Sequence, residues 1–439
     1  MPNKSSRRNF MKTSTAAGVG YWAAGGVALA QSTSPNEQIQ FASIGVGGKG
    51  SSDSAAAGKA GKMVAICDVD ATTLKRAGLR FKEAEPFYDF RRMFDEMGDK
   101  IDAVTVSTPD HNHAVAASMS LKADKHTFTQ KPLTHSISEA RYLTNLAKEK
   151  SDLATMMGNQ GTALDSLREA SAVIKTGVLG KISAVHVWTN RPVWPQGIDR
   201  PSVFKGVPNT LHWHEWIGPA PSRPYHEAYH PFKWRGFWDF GTGALGDMAC
   251  HTLNMPFHAL DLFDPTSVVA KSSGHNGETY PGWSIIDFEF PGNDSRGPVT
   301  LTWYDGGKKP DEALLKGEKM ANSGALIVGD AGTLYSTGDY ADRFMLLDGL
   351  EKPKVEWEKS PGHFEEWVRA IKGGKPAMSN FANYAGRLTE TLLLGNLAVW
   401  ASASGQSKKI EWDAKNITPT NAPELEQIVN RKYREGYTL

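Results

Sequence analysis

The chain has 439 residues, and its 49 lysines and arginines nearly balance 48 aspartates and glutamates, for a formal net charge of +1. This balance excludes an electrostatic case for a nucleic acid or an anionic membrane surface as the partner, because both require an excess of basic charge. The length exceeds what one compact core usually supports and predicts two domains. Only Cys67 and Cys250 are available for a disulfide, so we expect core packing to hold the fold.

Residues 1–30 have the features of an export leader. The pair Arg7-Arg8 precedes a weakly apolar run that ends in Ala28-Leu29-Ala30, a small-x-small cleavage signature. We interpret this segment as a twin-arginine signal peptide, which predicts export of the folded protein to the periplasm. The alternatives are a basic tail or an anchoring helix, but glycines dilute the apolar run and no later stretch is long enough to span a bilayer. We therefore expect no stable membrane insertion after cleavage.

Residues 38–157 alternate short apolar runs with amphipathic segments, the pattern of βαβ units around a parallel sheet. Strands are predicted at 39–46, 62–67, 101–107, 126–129 and 154–156, with helices at 51–60, 71–84, 112–122 and 137–150. The pattern predicts a Rossmann domain and an α/β fold class.

Residues 158–439 are predicted to form a second, α+β domain that binds the substrate. Strands are predicted at 183–190, 284–290, 299–303, 325–328 and 333–336, with helices at 165–176, 244–262, 363–372 and 383–402. The irregular stretch 191–235 is rich in proline, tryptophan and histidine. Long irregular loops in compact enzymes are usually functional, so we expect this one to reach the site.

The loop Gly45-Val46-Gly47-Gly48-Lys49-Gly50 lies between the first predicted strand and helix. Its glycines permit a tight turn, a close approach of the backbone to a pyrophosphate and close packing of the helix on the strand. Asp68, at the end of the second strand, can bind both ribose hydroxyls of NAD and repels a 2′-phosphate. The pattern predicts NAD as the cofactor and disfavours NADP. The cation Lys49, in the same loop, is the one feature that leaves NADP as an alternative. The alternative is an ordinary loop with an exposed aspartate.

Two further strand ends are predicted to face the cofactor. The turn that contains Thr108, Pro109 and His113 is expected near the nicotinamide half, although Asp110 or Asn112 could simply cap the next helix. At the next strand end, Gln130 precedes Lys131, and both are predicted to contact the cofactor. A lysine in such a crevice can donate to a substrate oxygen, so Lys131 is also predicted to be catalytic.

Asp247 and His251 are four residues apart within a predicted helix, which places both side chains on one face. Histidine is well suited to remove a hydroxyl proton near neutral pH, and the carboxylate can orient the imidazole or bind a neighbouring hydroxyl. An i,i+4 pair of this kind is by itself more often a surface ion pair than a catalytic pair, and only its combination with the other motifs favours a catalytic role.

The aromatic segment supplies predicted substrate contacts at Trp194, Trp213, Arg235 and Trp238, with the core of the second domain as the alternative place for the rings. Four histidines in the same region invite a metal site. No cysteine or dense set of carboxylates accompanies them, so no metal is predicted.

Several of these motifs together resemble the glucose–fructose oxidoreductase and inositol dehydrogenase family, known as Gfo/Idh/MocA. They are the glycine loop, Asp68, the Thr108-Pro109 turn, Gln130-Lys131-Pro132, Gly158-Asn159-Gln160 at the domain junction and the Asp247/His251 spacing. The resemblance implies a Rossmann domain followed by a domain on an open, mostly antiparallel sheet, an active site at Lys131, Asp247 and His251, a cofactor contact from Gln160, and a homo-oligomer formed through the second sheet. One departure is Gln130, where the family usually has glutamate. The stretch 238–247 is similar to exported members.

The favoured interpretation is an oxidoreductase that acts on a sugar, polyol or sugar derivative and retains tightly bound NAD. An exported enzyme cannot use the cytoplasmic cofactor pool, so we expect the reduced cofactor to be reoxidised in place. The alternative is an NAD-dependent glycoside hydrolase that oxidises, eliminates, adds water and re-reduces. A third hypothesis is a sugar-binding protein without catalysis, but the presence of Lys131, Asp247 and His251 argues against it.

Overall fold

The computed structural model describes residues 38–439, and residues 39–439 form one compact unit. The predicted signal peptide, residues 1–30, lies outside the described residues. Within the described part of the chain, no helix is both long and apolar enough to cross a membrane.

The amino-terminal part is built on a six-stranded parallel sheet with the order β3-β2-β1-β4-β5-β6. Its strands are β1 Gln40–Ile44, β2 Lys62–Cys67, β3 Glu85–Phe87, β4 Ala103–Val106, β5 His126–Thr129 and β6 Thr155–Met157, and its helices are α1 Gly48–Ala60, α2 Ala71–Arg80, α3 Phe90–Met97, α4 Asp110–Lys122 and α5 Ile137–Glu149. This order is that of a Rossmann fold, as predicted. The prediction missed β3, because a three-residue strand that contains Pro86 has no readable alternation. It also missed α3, although Phe90, Met93 and Phe94 have helical spacing.

Local sequence accounts for where several of these helices begin. Asp70 accepts hydrogen bonds from the backbone of α2, and Asp89 does the same for α3. Ser136 and Glu139 form a capping box at the start of α5. These side chains satisfy amide groups that have no partner within the helix.

The carboxy-terminal part is built on a nine-stranded sheet with the order β13-β12-β11-β7-β10-β9-β8-β14-β15. Its elements are α6 Asp165–Lys175, β7 Ile182–Trp188, α7 Trp213–Ile217, α8 Gly243–Thr252, α9 Asn254–Leu260, β8 Ser267–Ser272, β9 Ser284–Phe290, β10 Val299–Tyr304, β11 Gly324–Gly329, β12 Thr333–Thr337, β13 Arg343–Leu346, α10 His363–Ile371, α11 Gly386–Ala401, β14 Ile410–Asp413, β15 Thr418–Pro419 and α12 Glu426–Val429. All described neighbours pair antiparallel except β7 and β10, so the sheet is mostly antiparallel, as the resemblance implied.

Four strands of this sheet, β8 and β13 to β15, were not predicted, and one predicted helix is wrong. The helix expected over 244–262 is two helices, α8 and α9, that meet at Leu253. Pro256 lies in the first turn of α9 and lacks an amide hydrogen, so it cannot donate to the Thr252 carbonyl, as a continuous helix would require. The break leaves α8 as a separate ten-residue helix that carries Asp247 and His251.

Candidate active site

A cleft of about 610 Å³ lies at the carboxyl ends of the parallel strands and is closed by side chains from the second sheet's part of the chain. This volume is typical of sites for small molecules and cofactors. The glycine loop, Asp68, Lys131, Asp247 and His251 all contribute to its lining. Residues that are far apart in the sequence therefore meet in one cavity.

The glycine loop fits a dinucleotide. Gly45 has a φ of +79°, and a Cβ atom there would lie 2.5 Å from the Ser107 carbonyl oxygen. A Cβ atom at Gly50 would collide with the Gly45 carbonyl, so both positions require glycine. Gly47 is the N-cap of α1 and supplies no side-chain hydrogen bond. The first amides of α1 are therefore available to a phosphate group, which also meets the positive end of the helix dipole.

Asp68 both shapes the loop and faces the cleft. Its Oδ2 accepts a hydrogen bond from the Val46 amide at 2.9 Å, and its Oδ1 accepts one from the Asp70 amide at 3.0 Å. A carboxylate has about four acceptor positions, so each oxygen keeps a further lone pair. The side chain is thus fixed in orientation and can still accept hydrogen bonds from two ribose hydroxyls.

Lys49 lines the cleft, but its charge is already paired. Its Nζ donates to Asp53 Oδ1 at 2.6 Å and to Ser52 Oγ at 3.0 Å. An ammonium held along α1 in this way is a poor partner for a 2′-phosphate on the ribose. This arrangement agrees with the preference for NAD that Asp68 predicts.

The other predicted cofactor residues are placed in two groups. Thr108, Pro109 and Gln160 line the cleft. His113 does not line it. Its ring lies behind the loops, where Nδ1 is 2.7 Å from the Pro132 carbonyl oxygen and Nε2 is 2.8 Å from that of Thr108. The ring therefore lies between the two strand-end turns and donates its single N–H to one of these carbonyls, away from the cleft where a cofactor contact was predicted for it.

Gln130 forms part of a buried network that compensates for the missing glutamate. Its Nε2 donates to Asp53 Oδ2 at 2.9 Å, and Ser107 Oγ donates to the same oxygen at 2.8 Å. Gly158 leaves room for this side chain, because a Cβ atom there would lie 2.5 Å from Gln130 Nε2. Asp53 of α1 therefore supplies a carboxylate next to Gln130, the position at which the family usually has glutamate.

Replacing Gln130 by glutamate is expected to lower the free energy of unfolding by about 2–4 kcal/mol, because it places a second carboxylate beside buried Asp53. Lys49 pairs with only one of them. Urea denaturation of Gln130→Glu, Asp53→Asn and the double variant forms a double-mutant cycle. We expect Asp53→Asn to restore most of the loss. Equal stability of Gln130→Glu and the natural protein would contradict this account.

Lys131, Asp247 and Arg235 form a charged cluster in the cleft. Lys131 Nζ donates to Asp247 Oδ1 at 2.6 Å and to the Asp247 backbone oxygen at 2.7 Å, while Arg235 Nε lies 3.2 Å from the same Oδ1. Burial opposes ionisation of Asp247, but the two cations hold the pKa of its carboxyl well below the usual range. Asp247 is therefore a carboxylate at any ordinary pH.

Arg235 is held from the other side by Asp110, which is fully buried. Arg235 Nη1 lies 2.9 Å from both oxygens of Asp110, and Thr242 donates its amide and hydroxyl hydrogens to Oδ2. The suggestion that Asp110 or Asn112 caps α4 is wrong: Pro109 is the N-cap and no side chain caps the helix. Asp110 instead links the turn after β4 to the residues that precede α8.

His251 lies one helical turn beyond Asp247 and lines the cleft, although only 2% of its surface is exposed. Burial, with a contribution from nearby Lys131, holds the pKa of His251 well below its ordinary value, so the imidazole is neutral at pH 7. Its Nδ1 is buried and has no hydrogen-bond partner among the described residues. Asp247 spends its carboxylate on Lys131 and Arg235, so the expected Asp247–His251 bond is not what positions the ring.

The predicted substrate residues divide evenly. Trp194 and Arg235 line the cleft, whereas Trp213 and Trp238 do not. Trp213 stacks on Trp216 at 4.7 Å and donates to a backbone carbonyl. Trp238 stacks on Tyr280 at 3.6 Å and also donates to a backbone carbonyl. Both rings belong to the packed aromatic core, the alternative that the sequence left open.

The lining residues that were not predicted to bind anything include Tyr88, Arg191, Phe232, Tyr340 and Tyr437. Trp216 and Trp234 belong to the aromatic segment that was expected to reach the site, and both line the cleft. No local pattern marks Tyr340 or Tyr437, because distant parts of the chain bring them to the cleft. In residues 38–439, no group of three histidine, cysteine, aspartate or glutamate side chains is arranged to hold a metal ion.

Comparison with known proteins gives two matches to family models that together span most of the chain. A model described as an oxidoreductase family with an NAD-binding Rossmann fold matches residues 39–158, and one described as the C-terminal alpha/beta domain of an oxidoreductase family matches residues 167–439.

Among curated relatives, levoglucosan dehydrogenase from Pseudarthrobacter phenanthrenivorans is 23% identical over 208 residues, which cover 47% of this chain and 45% of that protein. The matched stretches span 26% to 45% of the curated relatives' lengths.

Solved structures share the fold. The WlbA dehydrogenase from Bordetella pertussis, in complex with NADH and UDP-GlcNAcA, matches with a TM-score of 0.59 at 18% identity, over 86% of this chain and all of that one. Levoglucosan dehydrogenase in complex with NADH and levoglucosan matches with a TM-score of 0.56 at 17% identity, over 84% of this chain and 98% of that one.

Proposed function

Because the chain belongs to the Gfo/Idh/MocA oxidoreductase family, we propose that it oxidises a hydroxyl group of a sugar, a polyol or a sugar derivative with bound NAD. One observation carries the proposal: Lys131, Asp247 and His251 meet in the same cleft as the glycine loop and Asp68. Bound in that cleft, NAD supplies the hydride acceptor.

Lys131, His251 and Asp247 have different roles in the proposed reaction. A lysine ammonium has three N–H groups, and two of those of Lys131 are used by Asp247. The third is available to the substrate oxygen and stabilises negative charge that develops there. His251, neutral at pH 7, accepts the hydroxyl proton. Asp247 holds Lys131 in place.

The charges in the cleft favour an uncharged substrate. The cations Lys131, Arg191 and Arg235 are balanced by Asp110, Asp247 and Asp339. The Arg235 guanidinium lies 4.4 Å from the centre of the Trp234 ring and 5.8 Å from that of Trp194. Flat indole faces suit the C–H faces of a sugar ring, while the polar groups suit its hydroxyls. The relative that oxidises levoglucosan supports the same substrate class.

We further propose that NAD stays bound and is recycled on the protein. The support is the leader sequence, which predicts transfer of the folded protein out of the cytoplasm. Outside the cytoplasm, no pool of free NAD is available to each turnover, so the bound cofactor is reoxidised in place, either by a second carbonyl compound or by return of the hydride to the same substrate.

The test uses the full-length protein, purified without added nucleotide. Its absorbance is recorded for bound NADH, and sugars, polyols and glycosides are then added singly and in pairs, with a carbonyl compound as the second partner. We expect one-time reduction with a sugar alone and turnover once a carbonyl acceptor is present. His251→Ala should lose turnover but keep its nucleotide.

Two outcomes would change the assignment. Release of an aglycone with no net change in the bound cofactor would indicate the glycoside hydrolase instead. His251→Ala with the turnover of the natural protein in every assay would overturn the proposed chemistry.

A further inference from the structure

A segment of the carboxy-terminal part crosses over the edge of the dinucleotide cleft. We call residues 208–232 the strap. The Ala71 amide donates to the Thr210 carbonyl at 2.8 Å, and the His212 amide donates to the Val69 carbonyl at 2.9 Å. Asp70 and Leu211 form an antiparallel bridge between these two bonds. The strap is therefore paired, strand to strand, with the residues that follow Asp68.

This position corresponds to the adenosine half of the cleft. In a Rossmann fold the acidic residue after the second strand binds the ribose next to the base. Tyr88 lines the cleft there, and the ring of His212 stacks on it with centroids 3.9 Å apart and planes 18° apart. Trp216, His230 and Phe232 of the strap line the same cleft.

The end of the chain joins the strap to the first sheet. We call residues 431–439 the tail. The Arg434 amide donates to the Pro219 carbonyl at 3.0 Å, and its Nε donates to the Gly218 carbonyl at 3.0 Å. The guanidinium of Arg91, in α3, lies 4.5 Å from the centre of the Tyr437 ring, which itself lines the cleft. The tail thus spans from the strap to the Rossmann core.

Two of the rings that line the cleft, one in the strap and one in the Rossmann core, are unusually exposed for their type. Phe232 is 62% exposed and Tyr88 is 41% exposed. Apolar surface gathered in a cleft indicates a ligand that covers it, and a purine base is flat and stacks well on aromatic rings. These rings are a second observation, independent of the hydrogen bonds, that points to a nucleotide.

We propose that the strap and the tail form the outer wall of the adenosine site and keep the dinucleotide on the protein. Departure of the base requires the strap to separate from residues 69–71, with loss of the Tyr88–His212 stack. The proposal rests on the proposed function, because it takes NAD as the cofactor. It adds the residues that decide how long NAD remains bound.

The experiment measures exchange of bound nucleotide. The holoprotein is incubated with excess isotopically labelled NAD, and the label retained after gel filtration is followed by mass spectrometry. His212→Ala removes the ring behind Tyr88, and Tyr437→Ala removes the lining ring of the tail. The matched controls are His214→Ala, whose side chain is 66% exposed on the same strap, and Tyr437→Phe, which keeps the ring.

We expect exchange about tenfold faster in His212→Ala and Tyr437→Ala and unchanged in both controls. The melting temperature of the nucleotide-free variants should stay close to that of the natural protein, which separates release from unfolding. Equal exchange rates in all variants would overturn the role of the strap and leave the oxidoreductase assignment intact. Failure of the natural protein to bind NAD at all would overturn both.

Discussion

Replacing Lys131 by methionine is expected to lower kcat by about a thousandfold while the bound nucleotide is retained. The lysine has one N–H group that Asp247 does not use, and we assign it to the substrate oxygen. Loss of one donor to a developing oxyanion costs about a hundredfold to a thousandfold in rate. Arg235 remains 3.2 Å from Asp247, so the buried carboxylate keeps a partner and the fold should survive.

The measurement is single-turnover reduction of the bound cofactor, with the sugar found in the substrate screen. Lys271→Met, on an exposed position of β8, is the matched control and should behave like the natural protein. Lys131→Arg keeps the positive charge on a group of different shape. Its single-turnover rate should lie between those of Lys131→Met and the natural protein. A Lys131→Met rate within about threefold of the natural rate would remove Lys131 from the chemistry.

Acid is expected to destabilise the protein strongly, by several kcal/mol between about pH 7.5 and about pH 4.5. Burial lowers the pKa of His111 to about 3, and a buried neutral His251 is shifted in the same direction. Their unfolded pKa is about 6.5. Below that pH the unfolded chain binds protons that the folded chain does not, so stability is present above about 6.5 and is lost as the pH falls towards the folded pKa.

The size of the effect can be judged from single groups. The low pKa of His111 alone lowers the free energy of unfolding by about 3 kcal/mol at about pH 4.5. The pKa of His258 is lowered to about 4 and that of His363 to about 3, mainly by burial, so both add to the loss. Burial raises the pKa of Asp305 to about 6, and this group opposes the trend by about 2 kcal/mol because its folded form takes up a proton first. The loss of stability from the buried histidines is larger than the gain from Asp305.

Urea denaturation at several pH values tests the expectation. His111→Asn should be less stable near neutral pH, because it loses the hydrogen bond that the single N–H of the neutral ring donates to a backbone carbonyl, yet it should lose less stability on acidification. His214→Asn, on the exposed face of the strap, should keep the natural slope. The same free energy of unfolding at both ends of the pH range would contradict the assignment of neutral buried histidines.

Much of the first sheet and part of the site could be predicted from the sequence. Alternating apolar runs predicted five of its strands, and the glycine loop with Asp68 predicted the cofactor end of the cleft. Lys131 and His251 were placed in the same cavity as expected. The roles given to these residues, the domain boundaries, and an oligomer formed through the second sheet stay predictions.

The errors share a physical cause. Trp213 and Trp238 were expected at the substrate because tryptophan, proline and histidine gather in 191–235 and the aromatic residues continue to position 238, but composition does not say which rings pack on each other. Asp247 was expected either to orient His251 or to bind a neighbouring hydroxyl, and the structure pairs its carboxylate with Lys131 and Arg235, which disfavours the first of these roles. The spacing of two residues in the sequence predicts that their side chains lie close together. It does not predict which of several nearby groups a side chain binds.

The order of residues alone decided the features that depend on neighbours in the chain: the parallel strands, the glycine turn that no larger side chain can adopt, the caps of α2, α3 and α5, and the helix that carries Asp247 and His251. Tertiary structure decided everything that depends on which distant groups meet. It paired Gln130 with Asp53, held Arg235 between Asp110 and Asp247, and laid the strap and the tail over the adenosine end of the cleft. Such contacts follow from packing the whole chain into one compact unit, and no short stretch of sequence encodes them.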